Sequence, residues 1–369
     1  MREHYLTTAE AELWQRYMPE RSSVYGSHGY ARICERLLDR VARLHVVESE
    51  EGWISYPMHL RSLSTLPFVA DIGTRWDSAS PEFTGPQIFG EGASLMPRYL
   101  DARRSLAGRE GIVAEFAHLH PWSDGQQLLG DGVRFNREII WIDTTLDPEF
   151  LRRNHLEYRR RKALNKAERE GLKIVEAESP EQMREYVRIY RGTMARNDAK
   201  DNYFFTQEYF DAFRELLPSN SRFTLTIYQD RAIGALLVLF DDDTVYAYLG
   251  GSDAEYHLLN AATFQIWDAI CWAHRSGKKR VILGGGYTPG DGIYNFKVSF
   301  SPLLQRFNTY NRVHLPDEYA RLEQACRSHY MLGDKPMSYF PAYRYTPTRK
   351  LSSPPSETSS ELSPVNVFA

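Results

Sequence analysis

Apolar residues recur along the chain at two periods, and the switching between them divides the sequence into elements. Over residues 29–44 (GYARICERLLDRVARL), Ile33, Leu37, Leu38, Val41 and Leu44 stand at helical spacing, which predicts a helix. Short apolar runs at His45–Glu48 and Gly52–Met58 suit a pair of strands. Phe83–Gln87 reads as a turn by its Gly85-Pro86 step, Met96–Leu106 as a helix, and Gly111–His118 alternates like a strand. Glu138–Ile142 (EIIWI) reads as a buried strand.

From Asp147 the pattern turns helical. Asp147 is a good N-cap, Pro148 suits the first helical position, and Gly171 suits the residue after a helix end. Leu172–Glu176 follows as a strand, then helices over residues 180–193 and 206–217. Strands are predicted at Arg222–Tyr228, Ala232–Phe240 and Thr244–Leu249, a long amphipathic helix at Leu258–Ser276, and a strand at Arg280–Leu283. This order gives a mixed, mostly antiparallel sheet with one βαβ crossover, the α/β (α+β) arrangement of GNAT-type domains. The first 142 residues show the same ingredients less regularly. The expectation is therefore two tandem domains, 1–145 and 146–345. Residues 346–369, rich in Ser, Pro and Glu, are expected to form a disordered tail.

Composition supports that division. A chain of 369 residues is long enough for two domains. With 45 Lys and Arg against 48 Asp and Glu, the net charge is −3 and no overall basic field attracts nucleic acid. Any RNA contact has to come from a local patch, and Arg152, Arg153, Arg159, Arg160, Arg161, Lys162, Lys166 and Arg169 form the one dense basic run. Eight cations on a helix this short cover most of its faces, as a solvated helix would. No run approaches the ~18 apolar residues of a membrane span, and the first residues lack an apolar signal core, so the expected location is the cytoplasm.

Cys34, Cys271 and Cys326 fit neither a disulfide framework nor a zinc site, and Cys271 reads as a core thiol. His118 and His120 share a strand face, but no further ligand follows at metal spacing. Asp241-Asp242-Asp243 lacks the frame of a calcium loop and reads as a hairpin turn.

The chemistry concentrates in residues 246–300. A strand ending at Tyr248 opens into Gly250-Gly251, where the absence of Cβ atoms lets backbone amides approach a ligand. A helix follows with Asn260 in its first turn, and a buried strand ends at Gly284-Gly285-Gly286. Gly292-Ile293-Tyr294-Asn295-Phe296-Lys297 then places Lys297 between Phe296 and Phe300. A cation held there can pair with phosphate or stabilise the oxyanion of an acyl transfer. The bland alternative is a surface lysine beside two core phenylalanines.

The stretch containing Gly250-Gly251, Trp267-Asp268-Ala269-Ile270, Trp272-Ala273, Gly277, Leu283-Gly284-Gly285 and Gly292 to Lys297 resembles the C-terminal signature of the FemABX family of aminoacyl and peptidyl transferases. Residues 159–171, Ala114–Trp122 and Thr84-Gly85-Pro86 resemble further segments of that family. The resemblance implies two tandem GNAT-like domains and transfer of an amino acid from aminoacyl-tRNA to an amine of a UDP-linked or lipid-linked peptidoglycan precursor peptide. It assigns Lys297 to charge stabilisation during transfer. Tyr248 and Phe296 are to line the acceptor channel, Arg196 is to bind a substrate phosphate or carboxylate, and Gly250, Gly251 and Tyr294 join them as substrate-binding positions. No cofactor, metal or DNA partner is implied. The sequence holds no long charged heptad insertion like the helical arm of some members, which leaves acyl-CoA open as the donor. A tRNA-independent N-acyltransferase and a non-catalytic double-domain binding module are the alternatives.

Overall fold

The structure, a computed structural model, describes residues 2–347 except 20, 21, 70–72, 74, 124, 287, 289, 335 and 338, with backbone alone at 81 and 127. In chain order the strands are β1 (Arg2–Leu6), β2 (Val41–Glu48), β3 (Gly52–Ser62), β4 (Trp76–Thr84), β5 (Gln87–Gly90), β6 (Ile112–Leu119), β7 (Val133–Asp143), β8 (Lys173–Glu176), β9 (Ser221–Tyr228), β10 (Arg231–Phe240), β11 (Thr244–Ser252), β12 (Arg280–Gly284) and β13 (Leu304–Val313). The helices are α1 (Ala11–Tyr17), α2 (His28–Leu37), α3 (Met96–Glu110), α4 (Pro148–Asn154), α5 (Tyr158–Arg169), α6 (Pro180–Arg196), α7 (Gln207–Leu216), α8 (Ala261–Arg275), α9 (Gly292–Val298) and α10 (Pro316–His329).

The described chain forms two compact units. Unit 1 comprises residues 2–19, 25–136 and 307–347, and unit 2 comprises 22–24 and 137–306. The boundary falls near residue 136 instead of 145, and the chain returns to unit 1 after residue 306. The return has a physical basis. β13 pairs antiparallel with β6 from Thr309 opposite His118 to Val313 opposite Ala114. Leu322 and Cys326 of α10 pack with Leu63 and Val113 in one buried cluster. Of the tail expected from residue 346, positions 348–369 lie outside the described residues.

In unit 1 the strands run in the order β1, β2, β3, β4, β6, β13, with β5 also pairing β3. β4 and β6 are parallel and the chain between them includes α3. The helix expected over 29–44 ends earlier: α2 stops at Leu37, and Asp39 adopts φ +50°. Val41 and Leu44 belong to β2, where Ala42, Leu44 and Val46 are buried at strand spacing. Two apolar periods overlapped there, and the turn at Asp39 decides between them.

Unit 2 follows the predicted order. Its strands run β7, β12, β11, β10, β9, β8. Asp147 caps α4, accepting from the N–H groups of Glu149 and Phe150 at 2.9 and 3.2 Å. Ser179 and Gln182 form a reciprocal capping box on α6. Gly171 follows α5 at φ +79°. β10 is buried on both faces, as its unbroken apolar run requires. Ile266, Ala269, Ile270 and Ala273 of α8 pack against Leu236, Val238, Val245, Ala247, Val281 and Leu283. Each large aliphatic side chain so buried contributes about 1.5–3 kcal/mol. Tyr186 and Phe210, from α6 and α7, meet edge to face at 5.1 Å within the aromatic layer there.

Candidate functional site

Within unit 2 the strands β11 and β12 are parallel neighbours joined through α8. They pair only at Thr244–Arg280, Val245–Val281 and Tyr246–Ile282. β11 then continues to Ser252 on its bonds to β10, and β12 continues to Gly284 beside β7. The two strands fork. At the fork Tyr248 is an extra residue in β11, because Leu249 and Ala247 face consecutive residues Leu237 and Val238 of β10. A bulge of this kind bends a strand away from its neighbour. Parallel strands that diverge at their carboxyl ends open a crevice edged by backbone amides and carbonyls, a common ligand position in α/β sheets.

α9 begins just beyond β12. Asp291 caps it, accepting from Tyr294 N–H at 2.7 Å through Oδ1 and from Thr288 N–H at 2.9 Å through Oδ2. The carboxylate lies so close to Gly286 that a Cβ there would meet Asp291 Oδ1 at 2.3 Å, so any side chain at 286 would displace the capping carboxylate. One turn into α9, Lys297 is 1% exposed and donates from Nζ to the Gly285 carbonyl at 2.7 Å. From β7, Arg137 donates to the adjacent Gly286 carbonyl at 2.7 Å. Two cations from separate elements thus hold two consecutive carbonyls at the end of β12. Burial lowers the Lys297 ammonium to a pKa of about 7, with Asp291 drawing it up and Arg137 pushing it further down. Burial also lowers Arg137, against the pull of Asp291 and Tyr203.

The sequence-predicted residues fall into three groups. Lys297, Tyr294 and Phe296 all lie on α9, not in a loop. Tyr294 and Phe296 are half-buried against the α8 core, and Arg160 lies 4.4 Å over the Phe296 ring. Tyr248 is at the fork, but its ring is buried and its hydroxyl meets Tyr209 Oη at 3.1 Å. Gly250 and Gly251 do not follow the strand: they are inside β11, opposite Leu236 and Ala235. A Cβ on Gly251 would meet Thr193 Oγ1 at 2.3 Å, so this glycine lets α6 close onto the sheet. Arg196, at the exposed end of α6, donates to the Ser252 carbonyl at 2.8 Å, where β11 ends. Asn260 precedes α8 as its cap at φ +59° and is not in its first turn.

Arg137 and Asp291 were missed. The Asp-Gly step that opens α9 is a capping signal. Arg137 carries no local signal, since its partner is 149 residues away in sequence.

The readings of Asp241 and Cys271 resolve simply. Asp241 holds its hairpin turn, accepting from Thr244 N–H at 2.9 Å and Tyr246 Oη at 2.9 Å. Burial raises the Cys271 thiol to about 11, as suits a thiol on the core. No group of His, Cys, Asp or Glu able to hold a metal occurs among the described residues. None of their helices is long and apolar enough to cross a membrane.

Residues 132–297 match the acetyltransferase (GNAT) domain family. No curated protein matches the chain. Among solved structures, FemX is similar with a TM-score of 0.67 and 13% identity, over 87% of this chain and 99% of FemX. The C-terminal domain of a putative lysylphosphatidylglycerol synthetase from Agrobacterium fabrum is similar at TM-score 0.50 and 16% identity, over 82% of this chain and 92% of that one. A conserved protein of unknown function from Bacteroides thetaiotaomicron gives 0.52 and 9%, over 83% and 98%. At these identities the likeness speaks to the fold, and the forked parallel pair lies inside the matched domain. Residues 132–297 thus carry a GNAT-type acyltransferase domain, and the chain shares its tandem fold with FemX.

Proposed function

We propose that this protein transfers an aminoacyl group from aminoacyl-tRNA to an amine of a peptidoglycan precursor peptide or a related peptide. The observation that carries the reading is the buried lysine at the forked end of β12, anchored to a neutral carbonyl and brought near neutrality by burial. Attack by the acceptor amine on the donor ester forms a C–N bond and places negative charge on the carbonyl oxygen. Collapse breaks the ester C–O bond, and the proton lost by the amine is balanced by the one gained by the departing hydroxyl. A preorganised cation and backbone amides in a dry crevice lower that barrier by stabilising the oxyanion. Lys297 supplies the charge, Arg137 and Asp291 fix the segment that carries it, and Arg196 at the end of β11 meets a substrate phosphate or carboxylate. Gly250, Tyr248, Tyr294 and Phe296 shape the surrounding wall. A substrate phosphate or carboxylate takes the proton. The cytoplasm, where charged tRNA resides, is the corresponding compartment.

The GNAT domain match supports a second reading, an acyl-CoA donor and a non-peptidoglycan amine. The deciding assay follows radiolabel from a pool of aminoacyl-tRNAs to a UDP-linked muramyl pentapeptide, with and without ribonuclease, beside a parallel assay with acetyl-CoA. Ribonuclease-sensitive transfer is expected. Transfer from acetyl-CoA alone would replace the first reading with the second.

A further inference from the structure

The basic run over 152–169 separates into two sets once folded. Five arginines are engaged within unit 2. Arg152 grips Glu168 through both terminal nitrogens at 3.0 and 2.6 Å, and Arg153 faces Glu149 at 3.9 Å. Arg159 pairs with Glu157 at 2.8 Å and donates to the Asn295 carbonyl of α9 at 2.8 Å. Arg160 donates to Ser299 Oγ at 2.6 Å and Thr263 Oγ1 at 3.0 Å, and Arg161 to the carbonyls of Leu156 and Arg153. The side chains of Lys162, Lys166 and Arg169 make no ion pair or hydrogen bond with any described residue.

Those three are not scattered. At about 100° per residue, spacings of four and three put them in one file on α5, and Tyr158 at the head of the helix joins it within about 80° of arc. Tyr158 is 73% exposed. From Tyr158 to Arg169 the file is about 16 Å long. Among the neighbouring carboxylates, Glu168 is neutralised by Arg152 and Glu157 by Arg159, leaving Glu170 at the far end. The inner face of α5 is set by Leu164 and Ala167, both buried. No broad apolar face is left on this helix for a bilayer. The near end of the file adjoins α9, because Arg159 and Arg160 are the residues that contact it.

We propose that Tyr158, Lys162, Lys166 and Arg169 form a track for the phosphodiester backbone of an RNA, with the RNA's 3′ end directed to α9. The assignment rests on the aminoacyl-tRNA reading above and adds its docking surface. A file of cations with one exposed ring is the arrangement that holds a nucleic-acid strand by phosphate contacts and stacking.

The test compares wild type with Lys162→Ala/Lys166→Ala/Arg169→Ala, whose substitutions lie outside the core and the fork, after unchanged thermal unfolding establishes the fold. Fluorescence anisotropy with uncharged tRNA across a salt series should show affinity reduced about tenfold or more. The slope of log K against log salt should fall by about 2, near 0.7–0.9 per lost phosphate contact. kcat/KM should fall in parallel with aminoacyl-tRNA but hold with a short aminoacylated dinucleotide. Wild-type tRNA affinity and salt slope in the variant would overturn the track, and so would equal losses on the long and short donors. Wild-type binding to phosphatidylglycerol vesicles but not to tRNA would overturn it in favour of a membrane. If tRNA binding drops in the variant while wild type transfers nothing from any aminoacyl-tRNA, the donor reading fails and the track stands.

Discussion

Unit 1 and unit 2 each contain a parallel strand pair, and the two pairs end differently. In unit 1, β4 and β6 stay paired from Trp76–Ile112 to Thr84–Leu119, across two shifts of register. Two extra residues bulge from β4 between Ala79 and Phe83, and the bulge is filled: Ser80 Oγ accepts from His118 N–H at 3.1 Å, and Glu82 is buried with burial raising its carboxyl well above the usual range. In unit 2, β11 and β12 part after Tyr246 and Ile282. The buried cations differ as well. In unit 1, Arg103 faces Glu115 at 2.7 Å, with His314 at 3.0 Å on the same oxygen, and Arg61 and Arg344 share Asp77 at 2.6 and 2.9 Å. In unit 2, Lys297 is anchored to a carbonyl. The contrast separates two uses of buried charge. A matched pair fixes structure and stays ionised. A lysine held on a neutral oxygen keeps a pKa that chemistry can use.

The largest effect expected from this contrast is in unit 1. Arg103→Met leaves Glu115 buried with His314 and the Tyr56 hydroxyl but without its guanidinium, and should cost about 3–5 kcal/mol in chemical denaturation. Folded enzyme should keep its kcat, and a loss of kcat at full folding would erase the distinction between the units.

Lys297→Met should act oppositely. We expect kcat/KM to fall about 100-fold or more, equivalent to ~2.7 kcal/mol, without loss of fold. A fall of threefold or less would remove Lys297 from the chemistry. Stability should report the same lysine. Its pKa is depressed from 10.5 to about 7, so between those values the folded state binds fewer protons than the unfolded chain. Wild-type stability therefore gains from this group as pH rises through that window, and the penalty is full below it. The methionine variant should exceed wild type by more at pH 6 than at pH 9. A constant difference would show that Lys297 is not titrating.

Gly251→Ala forces a methyl group into Thr193 and should cost about 1–3 kcal/mol, measured by urea unfolding. A neutral result would mean that α6 can withdraw from β11. The smallest effect expected is from Arg137→Gln. It loosens one of the two carbonyl anchors and should lower kcat about tenfold with Tm nearly unchanged, so an unchanged kcat would leave Lys297 as the only anchor that matters.

Much of unit 2 was legible because its helices announce their ends. Asp147-Pro148, Ser179 with Gln182, and Gly171 are local signals with local causes. Unit 1 was less legible for the converse reason. Its β4 bulge is settled against His118, 38 positions from Ser80, and its pairing of β6 with β13 by residues nearly 200 positions apart, as Asn311 opposite Phe116 shows. The site divides along the same line. Lys297 stood out between two phenylalanines, whereas Arg137 looked like any charged residue on an alternating strand until Gly286 came beside it. Gly251 could not be read from sequence because a missing side chain serves close packing as readily as ligand approach, and only Thr193 tells which.

The return of the chain to unit 1 after residue 306 also sets an order of assembly during synthesis. A growing chain emerges amino end first, so every strand of unit 2 leaves the ribosome while β6 still lacks β13. Unit 2 can mature first, and the nascent protein carries an open β6 edge until the last-made elements arrive. A premature stop directly after residue 306 would then spare the segment that bears Lys297 while leaving unit 1 with an adhesive edge, the combination most apt to yield aggregates with an intact catalytic half.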